Sequence, residues 1–168
     1  FRASKALEPN LSLMYHRNVK ALDIFVSRIV LEWVGTTASM LTLTVVFVAL
    51  GYMGWPDDPL LAILGWLLLA WFALGLGLIV GALSERSEAF ERVWHVATYL
   101  MFPASGAVFM VDWLPRAVQE AVLWIPMVHA VEMIRHGYFG GLAVTHENPM
   151  YLVGVNMVLM LIGLALVK

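Results

Sequence analysis

The run from Ile24 to Leu50 is interrupted by charge only near its start, at Arg28 and Glu32. It exceeds the roughly 20 residues that a helix needs to cross the hydrocarbon core of a bilayer. Three more apolar stretches, Leu60–Leu83, Val93–Val111 and Tyr151–Val167, approach or exceed the same length. In hydrocarbon every backbone polar group must be satisfied within the protein, so runs of this kind fold as helices. The expected fold is an all-α integral membrane protein with four transmembrane helices. Composition agrees: 61% of the 168 residues are hydrophobic and 13% charged, with mean hydropathy +0.82, whereas a soluble domain is about 25% charged.

The absence of cysteine removes disulfides, thiolate metal sites and a cysteine nucleophile. A net charge of −2 gives no ground for a nucleic-acid partner or a polybasic membrane anchor. The chain opens on Phe1 without a signal-peptide pattern and stops at Lys168 against an apolar segment. Both ends read as limits within a longer protein, and further helices are expected upstream.

Basic residues choose the side of the membrane. They gather in residues 1–23 (Arg2, Lys5, Arg17, Lys20), in 84–92 (Arg86, Arg92) and at Lys168, while the loop 51–59 has none. Residues 1–23, 84–92 and Lys168 are therefore expected in the cytoplasm, with the spans at 24–50, 60–83, 93–111 and 151–167 in one permease domain. That places 112–150 on the outer face. Ala117–Tyr138 is apolar enough to pass for a fifth span, but crossing there would strand Lys168 outside. Pro126 interrupts it, so 112–139 is expected to form two short helices in a re-entrant hairpin, a backbone tolerated at membrane depth only where protein or water surrounds it.

Within the hairpin, WIPMVHAVEMIRHGYFGG carries His129, Glu132, Arg135 and His136 between Pro126 and a glycine pair. Helical spacing puts His129, Glu132 and Arg135 or His136 on one face. The order His-Glu-x-x-His is absent, so no zinc site is expected, and no Gly-x-Ser-x-Gly elbow supports a serine nucleophile. Two readings remain: Glu132 pairs with Arg135 or His136 to hold the hairpin, or the face is a polar gate or substrate contact. Arg28 and Glu32, four residues apart, can neutralise each other in the span or face an aqueous path. Gly77 and Gly81 have the GxxxG spacing of closely approaching helices, within the chain or at a subunit interface. Trp55, Tyr99, Phe102, Phe109, Trp113, Trp124, Tyr138 and Phe139 suit an interfacial belt, although aromatic faces also stack on sugars. No GxxxxGK[ST] occurs, so nucleotide hydrolysis through a P-loop would belong to another chain.

Two segments resemble a known family. HRNVKALDIFVSRIVLE, with Arg17, Val19, Lys20, Asp23, Arg28 and Glu32, is similar to the cytoplasmic loop and third-helix start of capsular polysaccharide export permeases of the KpsM type. These are transmembrane subunits of ABC exporters in the ABC-2 class. WIPMVHAVEMIRHGYFGG resembles their outer-face motif through Trp124, Pro126, His129 and Glu132, with Ile125 in place of the usual Asn. Asn18 and Ala21 stand where prolines are common.

The resemblance implies six transmembrane helices, of which the four here are the third to sixth, in a multi-pass protein of the bacterial inner membrane. It implies a homodimer docked on two ATPase subunits that carry ATP and Mg, with no cofactor in this chain and no metal. A periplasmic adaptor and an outer-membrane exporter are further implied partners, beside membrane lipids and a lipid-linked acidic polysaccharide. Tyr15, His16, Arg17, Val19 and Lys20 would couple to the ATPase. Arg28, Glu32, Tyr99 and Phe102 would line the substrate path. Trp113, Trp124, Pro126, His129, Glu132 and Arg135 would form the periplasmic gate. O-antigen and teichoic-acid permeases share this architecture. A membrane-embedded lipid-linked sugar transferase is the alternative of another class, disfavoured by the lack of clustered loop carboxylates.

Overall fold

The structure is a computed structural model that describes residues 21–167; the coupling residues Tyr15, His16, Arg17, Val19 and Lys20 lie outside them. It is all-helical, with no strand among the described residues. In chain order the helices are α1 (Ala21–Ala49), α2 (Pro59–Arg86), α3 (Glu88–Ala104), α4 (Arg116–Val122), α5 (Pro126–Phe139) and α6 (Pro149–Val167), with 3-10 turns at Val111–Trp113 and Gly140–Leu142. Helices α1, α2 and α6 are long and apolar enough to cross a membrane, and the bent pair α4–α5 makes a fourth if it is counted as one span. At 1.5 Å per residue, α1 and α2 are each about 42 Å long, more than the hydrocarbon core requires.

Local chemistry sets the boundaries. Asp58 caps α2, its Oδ1 accepting from the Leu61 N–H at 3.1 Å, and Pro59 occupies the first turn, where its missing N–H costs nothing. Ser87 is the only break between α2 and α3: its hydroxyl accepts from the Phe90 N–H at 3.3 Å, and Glu88 and Glu91 complement the dipole of the new helix. The charged stretch 84–92 is thus mostly helical rather than a loop, because one serine in extended conformation suffices to turn the chain. The helix also ends earlier than the apolar run at 93–111 suggests. Pro103 lies in its last turn and Gly106 adopts a left-handed φ of +81°.

The central element is α2, which packs most extensively on α6 and α5 and less on α1. Glycines permit that closeness. A Cβ on Gly75 would meet Leu159 Cβ at 3.0 Å, and one on Gly163 would meet Leu78 Cβ at 2.8 Å, so α2 and α6 cross nearly backbone to backbone. Against α1 the contact is aromatic: the Phe25 ring lies over Gly81, in a small core with Ile24 and Leu78. Polar cross-ties add register. Trp66 Nε1 donates to Thr37 Oγ1 at 2.9 Å, Asn156 Nδ2 donates to the Leu68 carbonyl at 3.0 Å, and Arg86 caps the end of α6 through the Leu166 carbonyl at 2.8 Å.

Candidate functional site: a bent helix pair and an intramembrane cavity

Helices α4 and α5 are separated by a short break and bent by 106°. Pro126 opens α5, fixing the backbone at the bend, and Gly140, at φ +54°, closes it. Along α5 the chain passes close to α2: a Cβ on Gly65 would meet Ile134 Cγ1 at 2.9 Å, and one on Gly137 would lie 2.3 Å from the Ala62 nitrogen. The α1–α2 loop joins this end, with the Asp58 N–H donating to the Gly137 carbonyl at 2.8 Å and Tyr138 Oη donating to the Gly54 carbonyl at 2.9 Å.

The four ionisable residues of α5 do not meet one another as a single cluster: His129, Glu132 and His136 tie α5 to the segment 145–148, and Arg135 ties it to the turn after α3. His129 is buried, its Nε2 2.8 Å from the Leu123 carbonyl at the bend, while its Nδ1 accepts from the Asn148 N–H at 3.1 Å. A nitrogen that accepts from an N–H carries no proton, so the ring is the neutral Nε2–H tautomer and donates to Leu123. Tyr151 lies edge-on to this ring, centroids 5.2 Å apart, and its hydroxyl donates to the Trp124 carbonyl at 2.9 Å.

Glu132 has no exposed surface. Arg135 Nη1 donates to its Oε1 at 2.8 Å, and the His146 N–H donates to Oε2 at 3.3 Å. Arg135 Nη2 also donates to the carbonyls of Gly106 and Ala107, in the turn after α3. His136 Nδ1 contacts Glu147 Oε1, and His146 Nε2 lies 3.7 Å from Asp112 Oδ1. Burial pushes the Glu147 carboxyl up, but hydrogen bonds from Thr145, His136 and its own backbone N–H, with the His136 charge, more than offset this. The net pKa lies below the ordinary carboxylate value.

A cavity of about 540 Å³ runs between α1, α2 and α3, with Arg28, Glu32, Trp33 and Thr36 on one wall, Trp94 on another, and Met127 of α5. Its lining positions on α2 run from Trp66 to Val80, about 21 Å of helix. The indole N–H groups of Trp33 and Trp94 are buried there without a hydrogen-bond partner among the described residues. Arg28 Nε and Glu32 Oε1 are 3.9 Å apart and both half-exposed, a loose pair contributing little to stability.

The structure therefore places His129 at the bend that Pro126 opens, Glu132 and Arg135 as a pair farther along α5, and Arg28 and Glu32 at the cavity. Trp124 and Trp113 project outward, 77% and 72% exposed, and only the Trp124 backbone joins the network. Tyr99 and Phe102 are likewise exposed, on α3 away from the cavity lining. Of the GxxxG pair, Gly81 packs on Phe25, whereas Gly77 lines the cavity. The segment 145–148, which supplies three partners to α5, carries no motif. Asn156, a lone amide in an apolar run, was the visible signal for the α2–α6 tie. Among the described residues no group of three His, Asp or Glu side chains could hold a metal ion.

The profile of the ABC-2 type transporter family matches residues 9–139, from before α1 to the end of α5. The chain belongs to that family. This ABC-2 chain is 45% identical to the capsule polysaccharide export inner-membrane protein CtrC of Neisseria meningitidis serogroup B, over 99% of its own length and 63% of the relative's. It is 40% identical to the capsule polysaccharide export inner-membrane protein BexB of Haemophilus influenzae, with the same coverage. The polysialic acid transport protein KpsM of Escherichia coli is 27% identical over 99% of this chain and 65% of the relative. The chain thus spans about 63% of the length of the first two relatives.

Proposed function

We propose that this ABC-2 chain is the membrane part of an ATP-driven exporter that moves lipid-linked capsular polysaccharide across the bacterial inner membrane. Two copies would work with two separate ATPase subunits that bind ATP and Mg, and with an adaptor and an outer-membrane exporter beyond. The names of the relatives support the substrate class. The observation that carries the mechanism is the cavity, which extends along α2 from the Arg28–Glu32 pair to Met127 beside the bend.

In this reading the bent pair lies on the outer face. His129, Glu132 and Arg135 act as the frame that fixes it, because each is already spent on a structural partner. Arg28, Glu32 and the indole rings of Trp33 and Trp94 line the cavity and give it the polar and aromatic side that would meet a sugar or its anionic linker. Tyr15, His16, Arg17, Val19 and Lys20 serve as the ATPase-coupling segment. The chain performs no covalent chemistry; motion of the ATPases tilts α1 and α2 on their small-residue contacts.

The test is complementation of a permease-deficient capsulated strain by the full-length protein. Arg28→Ala and Trp94→Ala should lower surface polymer at least several-fold with the protein still inserted, and charge reversal at Arg17 or Lys20 should do the same through lost ATPase coupling. Normal export by all of these variants would sink the reading. Turnover of a lipid-linked sugar donor by the purified subunit alone would point to a transferase instead.

A further inference from the structure

A second pocket, of about 300 Å³, lies where the α1–α2 loop meets the end of α5, lined by Tyr52, Met53, Trp55, Asp57, Tyr138 and Phe139 among others. Four of these are aromatic, one is a carboxylate, and among the described residues no cation lines the pocket. The side formed by Asp57, Tyr138 and Phe139 is held in place. The Asp57 N–H donates to the Tyr138 carbonyl at 3.3 Å, Tyr138 Oη is tied to the Gly54 carbonyl, and the Tyr138 and Phe139 rings are tilted at 5.2 Å between centroids. The Asp57 carboxylate rests on Gly140, where a Cβ would come within 2.0 Å of Oδ2. Gly140 thus serves both the left-handed end of α5 and the seat of this carboxylate.

Aromatic faces carry negative potential, and an array of them beside a carboxylate is suited to an ammonium group. An acidic sugar would be repelled by Asp57. The pocket's level in the membrane identifies the source of the ammonium. The loop directly joins two helices long and apolar enough to cross a membrane, which puts it at the headgroup level, and the neighbouring lining residue Leu142 is 93% exposed, an apolar side chain that an acyl chain can cover.

We propose that this pocket binds the ammonium headgroup of a zwitterionic phospholipid, with Asp57 as counter-charge and Trp55 and Tyr52 as aromatic walls. The inference stands independently of the transport reading. The full-length permease, purified with its ATPase from nanodiscs of phosphatidylethanolamine and phosphatidylglycerol, would be examined by native mass spectrometry. Asp57→Asn and Trp55→Ala should each retain about fivefold less phosphatidylethanolamine, with phosphatidylglycerol retention unchanged and Asp57→Glu restoring the wild-type pattern. Equal phosphatidylethanolamine retention in all variants overturns the proposal, as does parallel loss of both lipids. Loss of a co-purifying basic protein with lipid retention intact also overturns it, assigning the pocket to a protein segment.

Discussion

The Glu132 carboxylate lies wholly inside the protein with the Arg135 guanidinium 2.8 Å away, and the two join three segments at one point. Glu132 holds the backbone of His146 before α6, and Arg135 holds the Gly106 and Ala107 carbonyls after α3. Removing one partner of such a pair strands the other charge, at a cost of about 3–5 kcal/mol. Glu132→Ala is expected to lower the thermal midpoint of the detergent-solubilised protein sharply, and Glu132→Gln less, because the amide oxygen can still accept from Arg135. Removing both charges in Glu132→Leu/Arg135→Met should cost less than the sum of the single changes. Additive losses would show that the pair is not coupled.

His129 is expected to act by the same logic without charge. Its ring satisfies the Leu123 carbonyl and the Asn148 N–H together. His129→Leu leaves both groups without that partner and should destabilise by about 2 kcal/mol or more. Glutamine offers one donor and one acceptor and should recover part of the loss. Unfolding monitored by tryptophan emission separates the three proteins, and equal stability of His129→Leu and wild type would refute the assignment.

What the sequence made legible was what helix periodicity and hydropathy report. The long helices, the break at Pro126 and the shared face of His129, Glu132 and Arg135 follow from local pattern. The partners on 145–148 were invisible because long-range pairing leaves no periodic trace in either segment. The end of α3 was misjudged for a related reason: hydropathy runs on to Val111, whereas Pro103 and Gly106 decide where the backbone stops being helical. Gly77 and Gly81 announced close packing, but only the tertiary arrangement assigns one to Phe25 and the other to a cavity wall. Tyr99 and Phe102 are aromatic in the way a path requires, yet aromaticity alone does not tell which face of α3 they occupy.

Two glycines on the main interfaces should respond differently to alanine. At Gly137 the added carbon meets backbone, the Ala62 nitrogen at 2.3 Å and the Asp58 carbonyl at 2.8 Å, so neither helix can yield without losing the α1–α2 loop contacts. At Gly81 it meets the Phe25 ring at 2.5 Å, a side chain that can turn aside. Gly137→Ala is expected to abolish accumulation of folded protein. Gly81→Ala should cost about 1–3 kcal/mol, and Phe25→Leu in the same chain should relieve part of it. Size-exclusion profiles and thermal midpoints distinguish the cases, and a well-folded Gly137→Ala would contradict the close approach of α5 to α2.

Glu147 links the end of α5 to acidity. Its folded-state pKa lies below the ordinary 4.5, so folding favours the ionised form. The stabilisation is present above about pH 4.5 and is lost as pH falls through the lower folded value. Wild type should therefore exceed Glu147→Gln in thermal midpoint above about pH 4.5, and the two curves should converge as the medium becomes strongly acid. His136→Gln should narrow the difference from Glu147→Gln and keep its loss in acid, because the Thr145 and backbone hydrogen bonds still favour the carboxylate. Parallel pH curves for wild type and Glu147→Gln would show that this carboxylate does not titrate with unfolding.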